Sequence, residues 1–260
     1  MAPLPYDRYY RELEAQTAKF AEAVHNADLS QPVRTRPEWT LAQLTAHLGR
    51  AHRWAGAIVA QRATEPPPLQ DLDDLQVPDS APQRSAWLLA GASRLVKAVQ
   101  RAGPQAPVWT WAGEQHAGFW VRRMTHETAV HRADAELTVG RQFALAPDLA
   151  ADGISEWLGL LASPKAAAAK PSLAELRGAG ETLHFHATDQ GLGDQGEWLV
   201  RRTSSGVAWE HGHQKGDVAV RAPAAELLLV IMRRIPPSDP RIEVLGDQTL
   251  LDHWLARTAL

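Results

Sequence analysis

Apolar side chains recur at helical spacing through residues 7–26 (DRYYRELEAQTAKFAEAVHN) with no breaker, which predicts a first helix. Ahead of the next apolar run, Thr40 with Gln43 three residues on has the form of a capping box, and the pattern it opens continues to about Arg62. Pro66, Pro67 and Pro68 end that helix. The acidic, proline-containing stretch from Leu69 to Pro82 reads as a loop. A third helix runs from about Gln83 to Ala102, where Gly103-Pro104 stops it, and a fourth from about Gly118 to Val139, with Gly140 just past its end. Four such helices can bury one shared core, so residues 1–145 are expected to form a four-helix bundle.

One more helix follows Pro147, to about Ala162, and the low-complexity stretch from Pro164 to Pro171 reads as an exposed connection. Beyond it the period changes. Residues 181–188 (ETLHFHAT), 197–203 (EWLVRRT), 206–211 (GVAWEH) and 216–221 (GDVAVR) alternate and are separated by turn residues, which predicts an antiparallel meander. A helix near 223–234, a short strand at 242–245 and a closing helix at 247–258 complete an α+β domain over residues 146–260. No strand-like alternation precedes Glu181, so the fold class expected is α+β, a bundle followed by a small domain with an antiparallel sheet.

A length of 260 residues exceeds the roughly 100–150 typical of one domain, in agreement with two units. A net charge of −3 offers no nucleic-acid surface. No apolar run approaches the roughly 18 residues of a membrane span, and the N-terminus lacks the basic-then-apolar build of a signal peptide. These features predict a cytoplasmic monomer or small homo-oligomer acting on small molecules. The chain has no cysteine, which excludes disulfides, thiolate metal ligands and a sulfur nucleophile of its own. Any thiol chemistry must bring its own thiol. Ten tryptophans against three tyrosines and four phenylalanines are read as core.

On the fourth helix Trp120, Met124, Glu127, His131 and Asp134 follow at spacings that place them on one stripe. A bundle helix should turn an apolar stripe to the core, yet here the stripe carries two carboxylates and an imidazole. A buried carboxylate needs a partner. His47, between Leu44, Leu48 and Ala51 on the second helix, is the third donor that a divalent metal, zinc by preference, would draw together with Glu127 and His131. Three protein ligands with a position left open have the form of a catalytic site. Asp134, one turn past His131, could accept the other ring N–H of a ligating histidine. The plainer alternative is a surface Glu127–His131 pair beside a hydrogen-bonded core histidine. His126 lies five residues from His131, not the four of the zincin motif, and is not read as a ligand.

Trp39-Thr40 with His47 following, and HETAVHRAD from His126 to Asp134, resemble the mycothiol-dependent maleylpyruvate isomerase family. The similarity runs over nearly the whole chain, and GEWLVRRT at 196–203 with GDVAVR at 216–221 looks like that family's C-terminal domain. The resemblance implies a DinB-like bundle, a divalent metal on His47, Glu127 and His131, and mycothiol as cofactor or acceptor. It also implies a functional arginine between the second and third helices, matched best by Arg84 with Arg94 nearby.

Three readings follow. In the first, a metal-held mycothiol thiolate adds to a small electrophile, for isomerisation or S-transfer, and Arg84 holds a substrate carboxylate. In the second, metal-bound water makes the protein a hydrolase. In the third, the metal only ties two helices together in a non-catalytic binding module. Elsewhere, His184 and His186 should share one solvent-facing side of a strand, and His211 and His213 flank a turn glycine; either pair could bind stray transition metal, but with no carboxylate nearby both are read as solvated. Arg122-Arg123 and Arg201-Arg202 read as solvated faces.

Overall fold

The computed structural model describes residues 3–163, 165 and 171–258. The exposed connection expected from Pro164 to Pro171 lies outside the described residues except at Lys165 and Pro171. Two compact units divide the chain, one of Leu4–Phe143 and the other built mainly of Ala144–Leu260.

The first unit holds α1 (Tyr6–Val24), α2 (Leu41–Gln61), α3 (Ala81–Ala102) and α4 (Ala117–Thr138). Local chemistry sets their ends. Thr40 accepts from the Gln43 amide at 3.2 Å while the Gln43 side chain accepts from the Thr40 amide at 2.8 Å, the reciprocal capping expected at the start of α2. Ser80 caps α3, and Gly103, at φ 84°, lets the chain leave it. A feature absent from the hydropathy pattern is the hairpin of β1 (Pro32–Val33) and β2 (Arg36–Thr40), paired antiparallel just ahead of α2. Val33 anchors it in the core formed with Phe20, Leu41, Leu44 and Leu48.

Where α2 meets α3, Gly49 lies under the Trp87 ring, and a Cβ at that position would fall 1.9 Å from the indole. The ring has no room to yield. Its Nε1 donates to the Asp74 carbonyl at 2.8 Å, and the Arg53 guanidinium stacks 4.1 Å from its centroid.

The second unit contains α5 (Pro147–Leu161), a mixed sheet, α6 (Ala224–Ile231) and α7 (Gln248–Thr258). The strands are β3 (Thr182–Ala187), β4 (Glu197–Thr203), β5 (Gly206–His211), β6 (Val218–Ala222) and β7 (Glu243–Gly246), in spatial order β5-β4-β3-β6-β7. Leu183, Phe185, Trp198 and Val200 are buried, and Trp198 Nε1 donates to Ser155 Oγ on α5 at 2.9 Å. The α+β class stands. The meander holds for β3, β4 and β5 only, because β6 pairs parallel with β3 on its other side. Alternation within a strand fixes which residues share a face but not which strand lies beside it, and that is why the sequence misled here.

To reach β6, the segment 212–217 crosses the sheet face that carries His184, His186 and Glu197. His184 is therefore buried, not solvent-facing, and a carboxylate stands beside the histidines after all. The arginine pairs need correction too. Arg123 is buried, and Arg202 donates to the carbonyls of Glu175, Leu176 and Arg177. Of those four arginines, Arg201 is exposed as expected.

Replacing Gly49 by Ala should cost about 1–3 kcal/mol through overpacking against Trp87. Urea unfolding of the Gly49→Ala variant should show a lowered midpoint with an unchanged slope, while Gly159→Ala, where a Cβ meets nothing within 4 Å, should not show that loss.

Candidate metal centre

Three side chains from two helices converge in the first unit. His47 comes from α2, Glu127 and His131 from successive turns of α4. Glu127 Oε1 lies 3.0 Å from His47 Nε2 and 3.9 Å from His131 Nε2, and the three donor atoms lie within 4.8 Å of one another. Ligand atoms about 2.0–2.1 Å from a tetrahedral zinc would lie about 3.3 Å apart, so the spacing is close to that of a ligand set.

The imidazoles are held from behind. His131 Nδ1 donates to Asp134 Oδ2 at 2.9 Å, and the Thr35 hydroxyl, on the β1–β2 turn, donates to the other Asp134 oxygen. With its proton on Nδ1, a neutral His131 presents a bare Nε2 lone pair toward the Glu127 carboxylate at a distance too long for a hydrogen bond. Two acceptors aimed at one point fit a cation between them. Trp39, on β2, packs edge-on against His47 at 5.0 Å and stacks on His131 at 6.4 Å. Burial pushes the Glu127 carboxyl up, but the His47 hydrogen bond, the charge of Arg123 and the charges that His131 and His47 carry when protonated outweigh it and bring its pKa to about 2. Arg123 Nε stands 3.6 Å from Glu127 Oε2, on the side away from the two imidazoles' shared oxygen.

His47 and Glu127 form part of the wall of a cavity of about 840 Å³. The rest of its lining is mainly apolar, with Trp39, Trp54, Trp111, Trp120 and Met124 prominent. The indole N–H groups of Trp54 and Trp120 donate to the carbonyls of Pro67 and Trp109, each at 2.9 Å, so those two rings offer hydrocarbon to the cavity. Four of the ten tryptophans thus serve a pocket, not merely a core. Arg50, one turn past His47, lines the same cavity with its Nε fixed to the Leu75 carbonyl at 3.1 Å.

Arg84 is not brought here. It is buried at the start of α3, where its guanidinium donates to the carbonyls of Pro78 and Asp79, and it does not line the cavity. Arg94 is likewise turned to Asp74. The missed residue, Arg50, had a legible signal, since it lies three positions from His47 on the same helix face. His126 packs edge-on against Tyr9 of α1, 6.0 Å between centroids, away from the cluster.

Residues 10–136 match the family described as the mycothiol maleylpyruvate isomerase N-terminal domain, and residues 148–253 match the MDMPI C-terminal domain. Among solved structures, a crystal structure of the mycothiol-dependent maleylpyruvate isomerase superposes with a TM-score of 0.50 at 13% identity, covering 93% of each chain. A histidine-to-alanine mutant of that isomerase gives the same TM-score and identity over 88% of this chain and 90% of its own. At such identity the likeness is one of fold. No curated protein matches the chain.

Beneath the cluster, His52 is fully buried. Its Nε2 lies 2.8 Å from Thr128 Oγ1, whose own proton goes to the Met124 carbonyl, so Nε2 is the donor and Nδ1 is left without a hydrogen-bond partner among the described residues. Burial lowers its pKa to about 3. Between roughly pH 6.5 and 3 the unfolded chain carries a proton here that the folded chain refuses, so stability falls as pH falls through this window. From pH 7.5 to 5.0 His52 alone should remove about 2 kcal/mol. Urea unfolding at the two pH values should show His52→Gln, which keeps the donor but cannot titrate, losing less stability than wild type by about that amount.

Proposed function

The chain belongs to the mycothiol-dependent maleylpyruvate isomerase family, and on that premise we propose that it is a metal-dependent enzyme using mycothiol. It activates the thiol for reversible addition to a small unsaturated acid, giving isomerisation, or for S-transfer to a small electrophile. Residues 1–145 act as its catalytic bundle and residues 146–260 as its C-terminal domain. The observation that carries the reading is the convergence of His47, Glu127 and His131 at the wall of an apolar cavity, in a chain without cysteine.

His47 Nε2, His131 Nε2 and a Glu127 oxygen would hold the ion, with zinc the ion proposed. When bound, the ion supplies a positive centre that favours the thiolate form of a thiol brought to it. One carboxylate and two neutral imidazoles leave a dication with a net charge of about +1, which a thiolate neutralises. Asp134 keeps His131 in the tautomer that frees Nε2 for coordination. Arg123 balances the Glu127 oxygen that does not face both imidazoles. The tryptophan walls exclude water from the thiol, and so favour addition to carbon over loss to solvent. Arg50 takes the part that the resemblance gives to Arg84. Among these walls it is the cation that can receive a substrate carboxylate.

Purified protein should contain one bundle ion that His131→Ala abolishes and His126→Ala retains, measured by elemental analysis. Turnover of unsaturated acids or conjugation of small electrophiles should require mycothiol. Turnover without any thiol would instead make the protein a hydrolase, and bound metal with no turnover of either kind a binding module. Losing one charge-assisted contact, Arg50→Ala should raise KM for a carboxylate substrate roughly 10- to 100-fold, with kcat much less affected. The same change at Arg84 should leave KM near its wild-type value.

A further inference from the structure

A second cluster of donor atoms occupies the other unit. Glu197, at the start of β4, pairs in register with His186 on β3, and His184, two residues back on β3, shares their face of the sheet. His213 arrives from the crossing segment 212–217. One carboxylate oxygen, Glu197 Oε2, lies 3.0 Å from His184 Nε2, 3.5 Å from His186 Nδ1 and 2.6 Å from His213 Nδ1. The three rings stand 5.7, 5.7 and 5.8 Å apart, with the His213 ring nearly perpendicular to the other two, at 87° and 83°, and those two at 63° to each other. All four donor atoms fall within 4.8 Å.

Hydrogen bonding alone accounts poorly for this arrangement. A carboxylate oxygen has about two lone-pair directions, and three ring nitrogens lie within 3.5 Å of this one oxygen. Three imidazoles and one carboxylate are instead a full set of borderline and hard donors for a four-coordinate ion. Backbone geometry supports the convergence independently. A Cβ on Gly216 would meet the His184 amide nitrogen at 2.9 Å and its Cβ at 3.2 Å, so the crossing segment lies directly on the strand that carries two of the histidines.

We propose that His184, His186, Glu197 and His213 form a second metal site, which takes zinc or an ion of like preference such as cobalt(II) or nickel(II). Four protein donors close the coordination sphere, so the ion is structural. It pins the segment 212–217 to the face of β3 and β4. The site shares no residue with the bundle cluster and does not depend on the reading given to that cluster.

Two measurements on the full chain test this. After chelation and reloading with zinc, the metal content of His186→Ala/His213→Ala should be one equivalent below wild type, and that of His47→Ala/His131→Ala should retain this ion. The buried His184 is left in place so that the sheet can form. Equal zinc content in wild type and His186→Ala/His213→Ala would overturn the proposal, whatever the bundle binds. The second measurement uses Lys215, an exposed trypsin site inside the crossing segment. In the His47→Ala/His131→Ala background, zinc at 100 times its dissociation constant should slow cleavage after Lys215 roughly 100-fold. Cleavage at the same rate with zinc and with chelator would refute a structural ion there.

Discussion

A carboxylate inside a helical bundle is the constraint on which the rest of the first unit depends. Glu127 stands on the stripe of α4 that faces α2, partly buried at the cavity wall, where desolvation penalises its charged form. The surroundings are arranged to keep it charged. Two imidazoles face one of its oxygens, a guanidinium stands near the other, and the resulting pKa of about 2 means that it is ionised at any ordinary pH. Each of those partners imposes a further demand. His131 must be fixed in one tautomer, which brings in Asp134, and Asp134 must be satisfied in turn, which brings in Thr35 and the hairpin. The polar network thus grows outward from one residue until it reaches the surface.

Much of this arrangement could be read from the chain. Helix ends with their own stop signals, such as the Thr40–Gln43 box and Gly103, lie where local chemistry puts them. The stripe of Glu127, His131 and Asp134 depends only on helical periodicity, and the structure brings these residues together with His47 across α2 and α4. Three things could not be read. The hairpin at Pro32–Thr40 is too short to alternate visibly, and its purpose lies in contacts with residues about a hundred positions away. The parallel pairing of β3 with β6 is a tertiary choice that no strand announces. The failure at Arg84 has the same origin, because matching a residue by its place between two helices says nothing about where a long side chain turns. The carbonyls of Pro78 and Asp79 take that guanidinium.

The two units solve a similar problem with opposite economies. In the bundle, two of the three candidate donors come from one helix, and His47 and Glu127 face a cavity lined by tryptophans. In the sheet, the donors come from two strands and a crossing segment, and four of them gather within 4.8 Å, enough to fill a tetrahedral sphere among themselves. A site that leaves a position free can do chemistry, whereas one that fills every position can only hold structure together.

The hairpin that carries Thr35 and Trp39 has a consequence for heat inactivation. A two-stranded ribbon is marginal by itself, and this one relies on Val33 in the core and on hydrogen bonds from its turn to α4. Such an element opens at a lower free-energy cost than the helices it rests on. Once it lifts, the ring over His47 and His131 is gone and the far side of Asp134 faces water, although α1 to α4 are still packed. On warming, the arrangement of His47, Glu127 and His131 loses its shape before the bundle melts.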